Sequence, residues 1–247
     1  ARIIQEDIVG PSLGAESIKA GLISFVIAFC LILIYMIFYY GLIPGLIADA
    51  ALLLNVFLVF GILASFGSVL TLPGIAGIVL TMGMAVDANV LIFERIREEL
   101  KGGKGLKKAV EDGHKGATSA IIDANVTSLL TGIVLAVFGT GPIKGFAVTF
   151  IIGIVTTILT AVFFAHMLLD NYVNSKNAKE LSFTTNITKN WFQNTHFNFV
   201  GARKIAYCIS AVVLVVCFIG LFAPGLNRGI DFTGGRNFVV RYEQPVK

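Results

Sequence analysis

Five stretches of this 247-residue chain contain no Asp, Glu, Lys or Arg: residues 20–48, 50–86, 124–143, 145–165 and 205–227. Each reaches or exceeds the roughly 20 residues an apolar helix needs to cross a bilayer. A water-soluble domain spreads charge over its surface, at about a quarter of its residues. Here charged residues make up 14% and hydrophobic ones 56%, with a mean hydropathy of +0.84. This pattern excludes intrinsic disorder, a secreted disulfide scaffold and an ordinary cytosolic enzyme. The chain reads as a membrane protein.

Pro and Gly punctuate the runs. Gly41-Leu42-Ile43-Pro44-Gly45, Leu72-Pro73-Gly74 and Gly139-Thr140-Gly141-Pro142 divide them into six spans, expected at 17–40, 46–68, 73–95, 115–139, 143–169 and 204–223. All should be helices: lipid satisfies no backbone polar group, and nothing alternates with the period of a barrel strand. The expected fold is an all-α polytopic bundle of six transmembrane helices.

Basic residues set the orientation. Seven lie in or beside the loop at 95–116, and Lys176, Lys179, Lys189, Arg203 and Lys204 lie in the segment at 171–204. Both segments should be cytoplasmic, which puts both ends of the chain on the outer side. The pI of about 9.0 thus reports topology and not nucleic-acid binding. Cys30, Cys208 and Cys217 sit in apolar runs and read as small buried hydrophobes. Residues 1–16 look polar and extended. Asn237-Phe238-Val239-Val240-Arg241-Tyr242 looks like the opening of a strand, so a piece of a longer protein is expected. In 171–203, Trp191, Phe192, Phe197 and Phe199 suit either an interfacial segment or a solvated tether.

One motif occurs twice. Asp87-Ala88-Asn89-Val90 lies in the third span and Asp123-Ala124-Asn125-Val126 in the fourth, each Asp eight residues from the basic residue (Arg95 or Lys115) at the span's end. At 1.5 Å per residue both carboxylates lie about 12 Å inside the charged edge, level with one another on antiparallel neighbours. A charge at such depth costs roughly 2.5–3.5 kcal/mol near a helix centre and normally faces a partner or water. Burial also favours the protonated form, which suits a proton carrier. Ser119, Asp123, Thr127 and Thr131 recur every four residues on one face, a stripe able to pass protons or to hydrogen-bond a neighbour. The other reading is that Asp87, Asp123, Asn89, Asn125 and the hydroxyls only tie two helices together. His166 reads as an interfacial residue, Glu94 as a partner of Arg97 or Arg95, and Asp49 and Asp170 as span-end charges. No His or Cys pair has metal spacing, and no Walker pattern follows Gly102, Gly103 and Gly105.

Residues 73–100, with Asp87-Ala88-Asn89-Val90-Leu91-Ile92-Phe93-Glu94-Arg95 among them, resemble the fourth transmembrane segment of SecD, a bacterial protein-export subunit. Val9-Gly10-Pro11-Ser12-Leu13-Gly14 and Gly139-Thr140-Gly141-Pro142-Ile143-Lys144-Gly145-Phe146-Ala147 are similar to it too. Phe197-Asn198-Phe199 and Gly229-Ile230-Asp231-Phe232-Thr233-Gly234-Gly235 resemble the start of its partner SecF. The order implies a fused SecDF of the resistance-nodulation-division superfamily. Its parts would be the end of an outer domain (1–16), SecD spans two to six (17–170), a cytoplasmic linker (171–203), the first SecF span (204–223) and the start of a SecF outer domain (224–247). The resemblance implies a non-enzymatic accessory subunit in the bacterial inner membrane. There, proton flow would drive late translocation and release of preproteins. Asp87 matches the proton-carrying aspartate, with protons as coupling ion and no other cofactor. Implied partners are the SecYEG channel, the rest of the SecDF chain, YajC-like and YidC-like membrane proteins, the preprotein and the bilayer, with no nucleic acid. The rival readings are an exporter of small molecules or lipids from the same superfamily, and a membrane scaffold.

Overall fold

The structure, a computed structural model, describes residues 11–175, 181–185, 187–188, 200–223 and 225–226. It contains six helices long and apolar enough to span a membrane, and no strand among the described residues. They are α1 (Pro11–Tyr40), α2 (Leu42–Ser65), α3 (Leu72–Lys101), α4 (Leu106–Phe138), α5 (Gly141–Val173) and α6 (Arg203–Phe222). Within α5, Ile158–Phe164 is wound as a π-helix. The chain divides into two units, residues 1–191 and 192–247. In the second, α6 is a single apolar helix with no buried residue.

Local chemistry explains the breaks. Gly41 turns the chain between α1 and α2 at φ +90°, a conformation that costs glycine nothing. Thr71 caps α3 by accepting a 3.1 Å hydrogen bond from the Gly74 amide, with Pro73 in the first turn where its missing N–H is harmless. The helix of α1 already begins at Pro11, so residues 11–16 are helical and not extended.

Helix α3 is the hub: it packs against α1, α2, α4 and α5. Its Met82, Phe93 and Ile96 are completely shielded. Helix α4 buries mainly one strip, Ala109, Gly113, Ala117, Ile121 and Asn125, each four residues from the last. Small residues bring the helices close, as they do where lipid supplies no hydrophobic drive for association. A Cβ on Gly113 would meet the Ile96 backbone at 2.8 Å, and one on Gly153 would meet Thr81 Cβ at 2.6 Å.

The ends of α3 and α4 extend beyond the expected spans. Charge ends the lipid-compatible part of a helix without ending the helix. Arg97 pairs with Glu94 at 2.5 Å and Arg95 with Glu98 at 2.6 Å, each one turn apart, and such pairs add a few tenths of a kcal/mol. In the turn between the helices, Lys104 holds Asp112 at 2.7 Å and Glu99 at 2.6 Å. These hydrogen bonds keep its ammonium above the usual lysine range.

Three expectations need correction. The cysteines are free but exposed, Cys30 on α1 and Cys208 and Cys217 on α6, where an apolar surround suits them as well as a core would. Asp49 is no span-end charge: it is 6% exposed, seven residues inside α2, and its Oδ1 has no partner among the described residues. The segment after α5 is not a free tether where it is described. Leu181 and Phe183 are buried, Phe183 lies 5.4 Å from the Phe93 ring, and Thr188 donates a 2.9 Å hydrogen bond to the Tyr39 carbonyl. Trp191, Phe192, Phe197 and Phe199, the Gly229 to Gly235 motif and the strand at 237–242 lie outside the described residues.

Gly153→Leu should lower the stability of the bundle by about 1–3 kcal/mol, the usual range for overpacking. Gly83→Ala, where a Cβ meets nothing within 4 Å, should be neutral or stabilising by up to about 1 kcal/mol. Thermal unfolding of the purified variants in detergent, followed by size-exclusion, separates the two.

Candidate functional site

The repeated Asp-Ala-Asn motif places its two polar side chains on opposite sides of each helix, because two residues at 100° each turn the side chain through about 200°. Asn89 and Asn125 point inward and are buried; Asp87 and Asp123 are exposed. Each Asn donates to the carbonyl one turn back, Asn89 to Ala85 at 3.3 Å and Asn125 to Ile121 at 2.8 Å. Both keep a buried Oδ1 with no partner among the described residues.

Asp87 lies in a cleft of about 160 Å³ between α3 and α4, whose polar lining is Asp87, Asn125 and Ser128 and whose walls include Met84, Leu91 and Ile121. A cavity of this size and polarity has room for a few waters. No cation pairs with Asp87 among the described residues. The structure does not bring the two aspartates into this cleft together. Asp123 belongs to the outward stripe with Thr127 and Thr131, and those hydroxyls donate to Asp123 and Thr127 carbonyls of their own helix. Ser119, the fourth member, faces a separate groove between α4 and α5. Period four is therefore present, but the face it marks is turned away from α3.

Two further polar centres sit in the same bundle. In the first, Asn55 of α2 donates from Nδ2 to the hydroxyls of Thr156, Thr157 and Thr160 at 3.1, 3.3 and 3.3 Å, all of them buried. An amide NH₂ has two protons, so three acceptors share two bonds. Thr156 and Thr160 donate onward to their own helix carbonyls, which leaves their oxygens free to accept. This centre meets the start of the π-helical turn, and such irregular turns cluster at functional sites. In the second centre, His114 of α4 and His166 of α5 stack with ring centroids 3.8 Å apart and planes at 15°. His166 is thus not the isolated interfacial residue expected. Glu94 pairs with Arg97 as foreseen, and it also accepts a 3.1 Å bond from the buried Tyr40 hydroxyl. No group of three or more metal-ligating side chains occurs among the described residues.

Comparison with known proteins covers this site directly. Residues 1–175 match the family described as Protein export membrane protein SecD/SecF, C-terminal, and residues 219–246 match the SecD/SecF GG Motif. The chain belongs to the SecD/SecF family. It is 54% identical over 171 residues to Protein translocase subunit SecD of Rhodothermus marinus, covering 69% of this chain and 27% of that protein. It is 50% identical over 180 residues to the SecD subunit of Desulfurispirillum indicum, covering 73% and 35%. It also resembles the crystal structure of SecDF, a translocon-associated membrane protein, from Thermus thermophilus, with a TM-score of 0.83 and 39% identity over 92% of this chain and 30% of that one. The chain therefore spans about a quarter to a third of the length of these three relatives. The SecD/SecF C-terminal region includes Asp87, Asp123 and the Asn55 centre.

For a SecD/SecF bundle, the Asn55 centre should be a structural tie between α2 and α5. Asn55→Ala should cost about 1–2 kcal/mol, since interhelical hydrogen bonds in membranes contribute on the order of 0.6 and at most about 1.7 kcal/mol each. A double-mutant cycle with Thr156→Val, read by unfolding in detergent, should show a coupling above zero.

Proposed function

We propose that this chain is the proton-handling membrane segment of an accessory subunit of the Sec export machinery, and that Asp87 is its proton carrier. The observation behind this reading is the setting of Asp87. A carboxylate deep in an apolar helix borders a small cleft that it shares with Asn125 and Ser128, and has no cation to neutralise it among the described residues. Such residues are costly and usually mark ion or proton pathways.

The neighbours favour a side chain that changes state. Ionised Asp87 can only accept hydrogen bonds; protonated, it can donate one. Asn125, on the same cleft, has its NH₂ engaged with Ile121 and its Oδ1 unengaged, which leaves an acceptor. Loading and unloading the proton would therefore change the bonding between α3 and α4. That is the differential contact a two-state movement requires. One proton moving across 100 mV is worth about 2.3 kcal/mol, enough to shift such an equilibrium more than tenfold.

In the full-length protein, the exposed Asp87 and Asp123 would each meet the remaining helices, with Asp123 a second acid on the path. The polar ends at 102–105 and after α5 would face the cytoplasm of a bacterium and the two chain ends the periplasm, as the basic residues require. The work done would be late translocation and release of preproteins from SecYEG, with YajC-like and YidC-like proteins as further partners.

Asp87→Asn in the full-length protein should fold and insert normally and lose the part of preprotein export that depends on the proton gradient, while ATP-driven export persists. Export assayed in membrane vesicles with and without the gradient measures this. Full gradient-dependent export by the variant would remove Asp87 from the mechanism.

A further inference from the structure

A groove of about 1180 Å³ opens between α4 and α5, away from the Asp87 cleft. It is larger than the roughly 300–1,000 Å³ that hold drug-sized molecules. Its charged side chains are one of each sign, Lys115 on α4 and Asp170 on α5, joined by the amides of Asn171 and Asn174. Asn174 Nδ2 donates to Asp170 Oδ1 at 2.9 Å and so orients the carboxylate. Below them the lining is apolar: Ile122 on one side, and Ile158, Val162, Phe163 and Met167 on the other. Phe163 and Met167 stay 63% and 57% exposed. From Lys115 to Ile122 is seven residues, and from Asp170 to Ile158 twelve, so the apolar trough descends about 10–18 Å from its charged mouth. The stacked His114 and His166 tie α4 to α5 beside that mouth. A second groove of about 580 Å³ shares Leu168, Asn171 and Asn174 with the first and is walled by Ile43, Leu46 and Ile47 of α2. The polar end of α5 therefore has an apolar trough on either side.

We propose that this mouth binds the headgroup of one phosphatidylethanolamine molecule, with its phosphate at Lys115, its ammonium at Asp170 and its acyl chains in the troughs flanking α5. The pair of opposite charges selects this headgroup. A phosphatidylglycerol headgroup brings an anion and no cation, so Asp170 repels it and gains nothing in return. A choline headgroup has a cation without N–H donors, which Asp170 and the amides cannot hydrogen-bond. Basic pockets between transmembrane helices bind anionic lipid headgroups; here Asp170 beside Lys115 turns that chemistry toward a zwitterion.

The test uses the full-length protein extracted from nanodiscs of equal phosphatidylethanolamine and phosphatidylglycerol, with retained lipid counted by native mass spectrometry. The wild type should retain phosphatidylethanolamine over phosphatidylglycerol by about three- to fivefold, the size an exposed ion pair supports. Asp170→Asn should abolish that preference, and Lys115→Ala should lower retention of the same lipid. Both positions are exposed, so these variants should fold, which monodisperse elution checks. A benzophenone side chain at Met167 should crosslink to lipid. Equal retention of the two lipids by the wild type, an unchanged preference in Asp170→Asn, or crosslinking of position 167 to protein instead of lipid would each overturn the proposal.

Discussion

Inside a bilayer a buried polar side chain cannot fall back on water, and the arrangement of this bundle follows from that constraint. Each inward polar group must find a protein partner or keep its place at a cost. Asn55 places its NH₂ on three threonine hydroxyls from one helix, and its buried Oδ1 has no partner among the described residues. Asn89 and Asn125 place theirs on the carbonyl one turn back, and likewise keep an unengaged oxygen each. Asp87 lacks a cation among the described residues and borders a cleft. Among the described residues the polar groups form a series from the shared bonds of Asn55 to none at Asp49 in α2 and at Asp87, which lies where α3 meets α4.

The tight packing of α3 against its neighbours makes that series possible. Gly113 against Ile96 and Gly153 against Thr81 set helix separations that leave no slack for a larger side chain. A hub held this closely cannot deform smoothly, because packed interiors switch between discrete arrangements. A change in hydrogen bonding at one edge of α3 is thus felt by α1, α2, α4 and α5, all of which touch it. The π-helical turn of α5, beside the Asn55 centre, is the irregular element best placed to absorb such a shift.

The sequence alone revealed the number and type of the spans, because the absence of charge over some 20 residues has one physical reading in a chain this apolar. It misjudged where α3 ends and α4 begins, since the last turns of α3 are held by Arg97 with Glu94 and the first turns of α4 by Lys104 with Asp112, outside the lipid-compatible stretch. The burial of Asp49 was missed because distance along a helix says nothing about which side faces a neighbour. Asn55 could not be flagged: its partners are more than 100 residues away, and a lone Asn in an apolar run gives no periodic signal. The same holds for His114 and His166, which meet only in the folded bundle.

The aspartates show most clearly what periodicity can and cannot deliver. Equal spacing from Arg95 and Lys115 fixes their depth, and the recurrence of Ser119, Asp123, Thr127 and Thr131 fixes a shared face. Neither fixes the rotation of one helix about its axis relative to the next. That rotation is decided by the small-residue strip of α4, Ala109 through Asn125, which must face α3 for the helices to approach. Once it does, the 200° between Asn125 and Asp123 forces the acid outward, so the same packing that buries the amide presents the carboxylate to whatever lies beyond the bundle.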